Sequence, residues 1–381
     1  MYESFSYRSN KNLIGQQNKI NSLLTPALVL DLDILEKNIS VMSDFAKKSG
    51  VKLRPHAKTH KCVEIAQQQI SAGAIGVCCA TIGEAVVMVD NGIAGVLITS
   101  PVISDQKISE LVRLQSIGGK VIVAVDNLNN LKNLNKVMGE ADQELDVIID
   151  VDVGLKRTGV DGVEAALELA KFIDKCHHLI FAGIQGYAGH LQHIVSHHER
   201  NESVKRDLKK LSDTRDRLIS VGLKPKIITG GGTGTHLFDV TINLFTELQV
   251  GSYAIMDVEY LNVESGKDFW SYSPALTLQS TVVSSNHTGI ATIDAGLKSL
   301  ATDGPVPIII EGAPDEAKYE FFGDEHGKIL LGDTNTQLHP GDIVRLIVPH
   351  CDPTINLHNY YHCIRNNTLV DIWSVAARGM Y

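Results

Sequence analysis

The sequence lacks paired cysteines. Its six cysteines are scattered along the chain, and no two of them form a CxxC pair: Cys62, Cys78, Cys79, Cys176, Cys351 and Cys363. This distribution argues against a disulfide framework and against a structural zinc knot, both of which need a regular pattern of cysteines. It is typical of a reducing compartment, so we predict a cytoplasmic protein.

The chain also lacks a surplus of basic residues and any long apolar run. It carries 35 Lys and Arg against 44 Asp and Glu, a formal net charge of -9. Binding to a phosphate backbone depends on a basic surplus, so nucleic acid is not a predicted partner. Residues 1–24 contain no apolar signal segment, and no apolar run could span a bilayer, so no membrane partner is predicted either. Any basic cluster must therefore serve something small and local.

The chain does contain short apolar runs separated by segments of helical period, from about residue 25 to residue 260. Runs that are apolar on both faces are typical of buried parallel strands. The candidates are PALVLDL (26–32), VKLRP (51–55), IGVCCA (75–80), GVLITS (95–100), KVIVAVD (120–126), DVIIDVD (146–152), IFAGIQGY (180–187), KIITGG (226–231) and ELQVGSY (247–253). Repeated strand–helix units predict an α/β fold, a (β/α)8 TIM-type barrel with its active site at the carboxyl ends of the strands. The alternative, a doubly wound sheet, would need a GxGxxG after the first strand, which is missing. Nine candidates compete for eight places, so one strand belongs elsewhere.

Beyond this region the pattern changes to alternating strand-like runs without a long helix. These runs are PALTLQSTVVSS (274–285), GIATIDAG (289–296), GDIVRLIVPH (341–350) and YHCIRNNTLVDIWSV (361–375). We therefore predict a barrel domain over residues 25–262 and a C-terminal antiparallel β domain over residues 263–381, with the boundary near 262–270.

Lys58 lies in a strongly basic segment, RPHAKTHK (54–61), just after a strand candidate. In a barrel this position is at the catalytic rim. Neighbouring positive charge lowers the pKa of a lysine and favours the neutral amine that a Schiff base requires. The segment could also be a solvated first turn of a helix, where basic residues oppose the helix dipole and a bound phosphate would compensate. Arg54, His56 and His60 would then shape the charge around that phosphate.

Two loops are candidates for a phosphate site. ITGGGTGT (228–235) follows a strand candidate, and its glycines let the backbone approach an anion closely. A glycine triplet alone is more often a tight turn, and the missing Walker A lysine argues against a nucleoside triphosphate. The second loop, GSY (251–253), follows the last strand, where such barrels bind phosphate. A lysine and a phosphate cradle at one rim are what pyridoxal phosphate requires. The candidate cofactor-binding residues in these loops are Thr229, Gly231, Gly232, Thr233, Gly251, Ser252 and Tyr253.

Two further loops after strand candidates carry reactive side chains. Arg157, in DVDVGLKRTGV (150–160), could face the ring of a cofactor, anchor a phosphate or carboxylate, or be a plain surface arginine. IQGYAGHLQH (184–193) contains Tyr187, which could stack on a ligand, and His190 and His193, which could act as acid or base. We expect at most one of these histidines to be functional, because loop histidines are usually solvated.

VPHCDPT (348–354) is a candidate metal motif. If it ends a strand, His350 and Asp352 point to one face and Cys351 to the other. One imidazole and one carboxylate suit an octahedral ion such as Mn²⁺ or Mg²⁺, whereas a thiolate would shift the preference toward Zn²⁺. Two ligands are a weak signal alone, because His-x-Asp pairs often arise by chance.

Together, and in this order, the motifs resemble those of a known family. RPHAKTHK, the GxxRxG turn in DVGLKRTGV, QGYxxxxQH, TGGGTGT, ELQVGSYAIMD, DAGLKS, DEHG and HCDPT match the alanine-racemase-like (fold-type III) pyridoxal phosphate enzymes of the D-threonine aldolase and D-serine dehydratase group. The resemblance extends from about Thr25 to the terminal AARGMY.

The resemblance implies a barrel that binds pyridoxal 5'-phosphate and a β domain that supplies a divalent metal, with the first strand, PALVLDL, joining the β domain. Lys58 matches the Schiff-base lysine, Arg157 the arginine near the cofactor ring, and His193 the catalytic base. His350 and Asp352 match the metal pair. The residues that match motifs around the ring and the phosphate are Tyr187, Gly231, Gly232, Thr233, Gly251, Ser252 and Tyr253. Enzymes of this group are usually homodimers.

The implied activity is cleavage of the Cα–Cβ bond of a D-3-hydroxy amino acid, most simply D-threonine to glycine and acetaldehyde. Asp352 favours an aldolase, because the dehydratases of the group have His-x-Cys with zinc at this motif. The alternatives are a 3-hydroxy-D-aspartate aldolase, for which His236 or Lys298 could meet the β-carboxylate, and then a D-serine or 3-hydroxyaspartate dehydratase. A non-catalytic pyridoxal-phosphate-binding protein and a racemase are the hypotheses from other functional classes.

Overall fold

The computed structural model describes residues 4–266, 272–332 and 336–381. The α-helices in these residues are α1 (Phe5–Lys11), α2 (Leu32–Ser49), α3 (Val63–Ser71), α4 (Ile82–Asp90), α5 (Asp105–Ser116), α6 (Leu128–Glu140), α7 (Val163–Ile173), α8 (His197–Ser220), α9 (His236–Asp239), α10 (Val258–Leu261) and α11 (Cys351–Asn356). The strands are β1 (Ala27–Asp31), β2 (Lys52–Leu53), β3 (Cys78–Cys79), β4 (Leu97–Ile98), β5 (Ile122–Val125), β6 (Leu145–Asp150), β7 (Leu179–Gly186), β8 (Ile227–Gly230), β9 (Glu247–Leu248), β10 (Leu276–His287), β11 (Ile290–Ile293), β12 (Ile308–Glu311), β13 (Lys318–Phe321), β14 (Gly327–Leu330), β15 (Ile343–Ile347), β16 (Tyr360–Arg365) and β17 (Thr368–Ser374). Within the described ranges, no helix is both long and apolar enough to cross a bilayer.

Strands β2 to β9 form the predicted barrel. They pair in parallel in the order β2-β9-β8-β7-β6-β5-β4-β3. A parallel bridge between His56 and Cys78 closes the ring, together with a hydrogen bond from the Cys78 N–H to the Pro55 carbonyl oxygen. The helices from α4 to α8 contact one another in chain order. The (β/α)8 prediction is confirmed.

The side chains that point into the barrel change from apolar to polar toward the carboxyl ends of the strands. Leu97 and Ile148 belong to a small buried cluster inside the ring. Val123 points to the other face of its strand and packs in the larger core with the helices. Thr99 and Asp150 lie two residues further along and face inward as well, because side chains alternate along a strand. This change in polarity places the cavity at the carboxyl-terminal rim.

The first strand candidate, PALVLDL, is the one that lies outside the barrel. β1 pairs antiparallel with β10 and parallel with β16, in a second sheet that is otherwise antiparallel. Our sequence prediction missed β12, β13 and β14 in this sheet. Each has four residues, too few for an alternating pattern to stand out. α10 ends at Leu261 and β10 begins at Leu276, and part of the predicted boundary at 262–270 lies outside the described residues.

The motif DEHG (324–327) forms the connection between β13 and β14. Gly327 packs against Tyr319, and a Cβ atom at this glycine would lie 2.3 Å from the tyrosine Cε2. Glu325 accepts a hydrogen bond from Lys298, which therefore binds this turn. The motif thus has a structural role within the β domain.

The β domain meets the barrel at the start of α11. The N–H of Val258 donates to the Val348 carbonyl oxygen over 3.1 Å, and the N–H of Cys351 donates to the Asp257 carboxylate over 2.8 Å. Both bonds link the segment after β9 to the segment after β15. They hold the HCDPT motif against the rim of the barrel.

Candidate active site

A cavity of about 390 Å³ opens at the carboxyl ends of the barrel strands. Eight of the residues selected from the sequence line it: His56, Lys58, Arg157, Tyr187, Gly232, Thr233, Gly251 and Ser252. The sequence reasoning did not assign several other lining residues to a site, among them Thr99, Gln185, Gln249 and Tyr260. The barrel therefore brings together residues from segments that are far apart in the chain.

Lys58 lies in a short 3-10 helix, Ala57–Thr59, in the loop that follows β2. The Nδ1 atom of His56 caps this helix and accepts the Lys58 N–H over 3.4 Å. The Lys58 ammonium group donates to Oδ2 of Asp352 at 2.5 Å. Asp352 raises the pKa of Lys58, so the expected lowering of that pKa is wrong. The reason is a carboxylate from the β domain, which a reading of the local basic segment does not include.

Two other basic residues of RPHAKTHK, Arg54 and His60, bind protein partners away from the cavity. Arg54 is buried and donates to both carboxylate oxygens of Glu247, at 2.7 Å and 3.0 Å. Nδ1 of His60 accepts the Cys62 N–H over 3.1 Å. Of the three expected residues, only His56 lines the cavity. Burial, and after it the positive charge of Lys58, lowers the pKa of His56 well below the usual value. The expectation that Arg54 and His60 shape the charge around a phosphate is therefore wrong.

Lys61, the last residue of the motif, is also buried in an ion pair. Its Nζ atom donates to Glu84 over 2.6 Å. The second carboxylate oxygen of Glu84 accepts the N–H of Ala80, a residue of the cavity wall. This pair therefore fixes the wall next to the Lys58 turn.

The glycine loop after β8 is tightly packed. Gly231 has a φ of +72°, which favours glycine, and a Cβ atom there would lie 2.6 Å from Oδ2 of Asp239. A Cβ atom at Gly232 would lie 2.4 Å from Oε1 of Gln192. Gly232 and Thr233 line the cavity. Packing against Asp239 and Gln192 therefore requires glycine at these two positions, and only Gly232 of the two exposes its backbone to the cavity, where it could approach a phosphate closely.

The loop after β9 completes this side of the cavity. A Cβ atom at Gly251 would lie 2.5 Å from Oγ1 of Thr59, so the glycine allows the Lys58 turn to approach. Tyr253 donates its backbone N–H to Oγ1 of Thr233 over 3.0 Å, whereas its ring is buried and its hydroxyl accepts from Gln69. The tyrosine therefore ties the two loops together through its backbone, and its ring does not line the cavity.

A polar network that the sequence reasoning missed lies at the base of the cavity. Gln249 donates to Gln185 over 3.0 Å and to the Thr229 hydroxyl over 3.1 Å. Gln185 in turn donates to Asp150 over 3.0 Å. Thr229 thus supports the base and does not line the cavity. The available sequence signal was the position of these residues, which end β7 or directly follow β9 and face the barrel interior.

Arg157 and Tyr187 stand together at the cavity wall. The Arg157 guanidinium lies 5.7 Å from the centre of the Tyr187 ring, a cation–π distance. Burial raises the pKa of Tyr187, with Lys58 opposing this effect. The tyrosine therefore stays uncharged, with a flat ring available for stacking.

His350 and Asp352 do not end a strand, so the expected alternation is wrong. β15 ends at Ile347, and His350 is the residue just before helix α11, in which Asp352 is the second residue. Asp352 faces Lys58, and Nδ1 of His350 faces Asp303 at 2.9 Å. Burial would raise the pKa of Asp352, but Lys58 and His350 hold it well below its usual range. In the described residues, no three His, Cys, Asp or Glu side chains form a ready metal cage.

His193 lies next to this pair, whereas His190 does not. Nε2 of His193 is 3.5 Å from Glu259, and its ring lies 4.7 Å from that of Tyr260. Burial, with repulsion from His350, lowers the pKa of His193 to about 4. His190 instead pairs with Asp207 at 2.8 Å. Of the two loop histidines, the geometry therefore favours His193 as the candidate acid or base.

Comparison with known proteins identifies the family. Residues 30–258 match the alanine racemase N-terminal domain, and residues 275–364 match the putative serine dehydratase domain. A 3-hydroxy-D-aspartate aldolase of Paracoccus denitrificans is 36% identical over 94% of this chain and 93% of its own length. A D-threonine aldolase of Arthrobacter sp is 37% identical over 93% of both chains.

Solved structures agree. The crystal structure of D-threonine aldolase from Filomicrobium marinum is similar to this chain with a TM-score of 0.90 and 35% identity, covering 94% of this chain and 96% of that one. The resemblance found in the motifs is confirmed. The chain belongs to the alanine-racemase-like, fold-type III family of pyridoxal phosphate enzymes, in the group whose named members include these aldolases.

Proposed function

We propose that this protein is a pyridoxal phosphate- and divalent-metal-dependent aldolase that cleaves the Cα–Cβ bond of D-3-hydroxy amino acids, with D-threonine as the first candidate substrate. One observation carries the proposal. Lys58 of the barrel and Asp352 of the β domain meet at 2.5 Å beside a cavity that is lined in part by the glycines and hydroxyl residues of two rim loops. The residue proposed to bind the cofactor and a residue proposed to bind the metal therefore lie at one site.

The residues present fit the cofactor. Lys58 would hold it through its amine, and Gly232, Thr233, Gly251 and Ser252 would hold its phosphate. Tyr187 and Arg157 would flank the ring. When bound, pyridoxal phosphate supplies an electron sink for cleavage at Cα.

The donor set beside the cavity also fits a divalent cation. His350 and Asp352 would hold it, and the one imidazole and one carboxylate favour Mn²⁺ or Mg²⁺ over Zn²⁺. Burial lowers the pKa of His350, but the carboxylates around it outweigh this effect and raise that pKa. Asp352 contributes most, followed by Asp257, Asp303 and Glu259. A bound metal supplies a Lewis acid that lowers the pKa of the β-hydroxyl.

His193 is the proposed base for the β-hydroxyl proton. With a pKa of about 4 its imidazole is neutral at pH 7 and can accept a proton. Glu259, whose carboxylate lies 3.5 Å from Nε2, would stabilise the positive charge that forms on the ring when it accepts the proton. Loss of the β-hydroxyl proton lets the aldehyde leave as the Cα–Cβ bond breaks.

The surroundings of the site favour a neutral β-substituent over a carboxylate. His236 is buried, with Nδ1 on the Thr233 carbonyl oxygen at 2.8 Å, and Lys298 binds Glu325 at 2.6 Å. Neither residue lines the cavity. Asp303 and Glu259 beside His350 would oppose a second negative charge on the substrate.

3-Hydroxy-D-aspartate is the second candidate substrate. Arg157 lines the cavity, and a guanidinium can bind a carboxylate through two hydrogen bonds. The relative that carries this activity in its name is 36% identical to this chain. A D-serine or 3-hydroxyaspartate dehydratase follows these two.

Product analysis by mass spectrometry tests the proposal. Purified protein with pyridoxal phosphate and Mn²⁺ is incubated separately with D-threonine, 3-hydroxy-D-aspartate and D-serine, each with and without a chelator. We expect glycine and acetaldehyde from D-threonine, lost on chelation. Glycine and glyoxylate in greater yield would establish the second candidate. A keto acid and ammonia would replace the aldolase by a dehydratase, and no product at all would favour a non-catalytic binding protein.

A further inference from the structure

Asp303 holds the imidazole of His350 from outside the cavity. Oδ2 of Asp303 lies 2.9 Å from Nδ1 of His350. Asp303 belongs to the segment between β11 and β12, four residues beyond the motif DAGLKS (294–299), and is not part of any of the sequence motifs. The Asp303 side chain is 57% exposed and that of His350 24% exposed. An ion pair this open to water contributes little to stability.

The contact decides which ring nitrogen carries a proton. A carboxylate only accepts hydrogen bonds, so Nδ1 of His350 must be the donor. In the neutral ring, Nε2 then keeps its lone pair. Glu259 also approaches Nδ1, but at 3.9 Å, beyond hydrogen-bond distance. Asp303 is therefore the carboxylate at hydrogen-bond distance that sets this tautomer.

We propose that Asp303 is a positioning residue for metal binding: it holds Nδ1 of His350 as a donor so that Nε2 is the nitrogen that ligates the divalent cation. The inference rests on the proposed function, in which His350 is a metal ligand. Metal-ligating histidines generally donate their second ring N–H to a carboxylate or a carbonyl, which fixes the ring and increases its basicity. Asp303 contacts His350 and is not itself placed as a ligand.

Mn²⁺ titration of the protein loaded with pyridoxal phosphate tests this directly. The protein is first stripped of metal with a chelator and desalted, and free Mn²⁺ is then followed by its electron paramagnetic resonance signal. The variants are Asp303→Asn, Asp303→Glu and His350→Ala. Asp315→Asn, an exposed aspartate between β12 and β13, is the matched control for the lost charge.

We expect Asp303→Asn to weaken Mn²⁺ binding by about 10- to 100-fold, the usual effect of losing such a partner. Asp303→Glu, which keeps a carboxylate, should recover part of the affinity, and Asp315→Asn should bind as the wild type does. The visible absorbance of bound pyridoxal phosphate should stay the same in all four variants, which excludes general misfolding.

Two results would overturn the inference, and they differ. Wild-type affinity in Asp303→Asn, with binding lost in His350→Ala, would refute the role of Asp303 and leave the metal-dependent function intact. Mn²⁺ binding that is absent from the wild type, or unchanged in His350→Ala, would refute the proposed metal pair and this inference together.

Discussion

The Nζ atom of Lys58 lies 2.5 Å from Oδ2 of Asp352, although 294 residues separate the two in the chain. Asp352 raises the pKa of Lys58, and Lys58, against the effect of burial, helps to lower the pKa of Asp352. Each residue is thus held in its charged form by the other. A lysine that bonds to a cofactor and a carboxylate that ligates a metal must first release one another, so the two proposed functions are physically coupled.

Replacing Lys58 tests the cofactor role. We expect Lys58→Ala to abolish cleavage and the visible absorbance of bound pyridoxal phosphate, because no other amine has been placed in the cavity. Absorption spectra are recorded after incubation with the cofactor and desalting. Lys52→Ala, at the exposed start of β2, is the control and should keep the band. A band that persists in Lys58→Ala would remove this residue from the mechanism.

Replacing Asp352 separates the metal from the cofactor. We expect Asp352→Asn to retain pyridoxal phosphate but to lose the Mn²⁺-stimulated rate. Without the carboxylate the pKa of Lys58 falls, so its neutral amine forms at lower pH and cofactor uptake should shift to lower pH. Initial rates before and after chelation, and uptake across a pH series, check both effects. Equal rates in the wild type with and without chelator would refute the metal role.

The two loop histidines form a natural pair of test and control. We expect His193→Ala to lower kcat by about 10²- to 10⁴-fold, as for loss of a general base, with KM much less affected. His190→Ala should leave kcat nearly unchanged, because His190 pairs with Asp207 away from the site. Steady-state kinetics measure both. Equal effects of the two substitutions would contradict the assignment.

Asp239 predicts a pH dependence of stability. Burial raises its pKa to about 7, from the ordinary value of 3.8. Between these values the folded protein binds more protons than the unfolded chain. The contribution of Asp239 to stability is therefore fully present below about pH 4. It is lost as the pH rises from about 4 through 7, by up to about 1.4 kcal/mol per pH unit. We expect Asp239→Asn to gain stability relative to the wild type from pH 5 to pH 8. Thermal unfolding of both proteins at pH 5 and pH 8 measures this. A stability difference between variant and wild type that is the same at both pH values would refute the raised pKa of Asp239.

The ion pair of Arg54 and Glu247 predicts a large structural effect. Removing one partner of a buried pair leaves a charge without compensation, so we expect Arg54→Ala to lower the free energy of unfolding by about 3–5 kcal/mol. Arg113 is the control, because its pairs with Asp90 and Glu110 are exposed and Arg113→Ala should cost under about 1 kcal/mol. Urea denaturation followed by circular dichroism compares them. Similar losses would contradict the difference in burial.

The barrel could be predicted because each of its strands produces a recognisable pattern in the local sequence. A strand buried on both faces is a continuous apolar run, and each of the nine runs overlaps a strand in the structure. The destination of β1 could not be derived from such a run, because pairing with β10 and β16 depends on residues about 250 and 330 positions away. The four-residue strands β12 to β14 were missed for a different reason, since so short a segment holds too little pattern.

The site was predictable to the extent that its residues stand in motifs. Lys58, Gly232 and Gly251 could be selected because a lysine or a glycine directly after a barrel strand lies at the rim where ligands bind. Asp303 could not, since a carboxylate in a loop is usually solvated, whereas Gln249 had a signal in its position directly after β9 that our prediction did not use. Their roles appear only when Asp303 reaches His350 and Gln249 reaches Thr229.

The sequence by itself determined the barrel, the glycine loops and the identity of the reactive groups, because these follow from local composition and period. Only the tertiary structure decided the charge of Lys58, since the carboxylate that raises its pKa comes from the other domain. It also decided that HCDPT starts a helix: Pro353 is tolerated in the first turn, where its missing N–H would have had no helical partner. Electrostatics and pairing depend on distances between remote residues, and those distances exist only after folding.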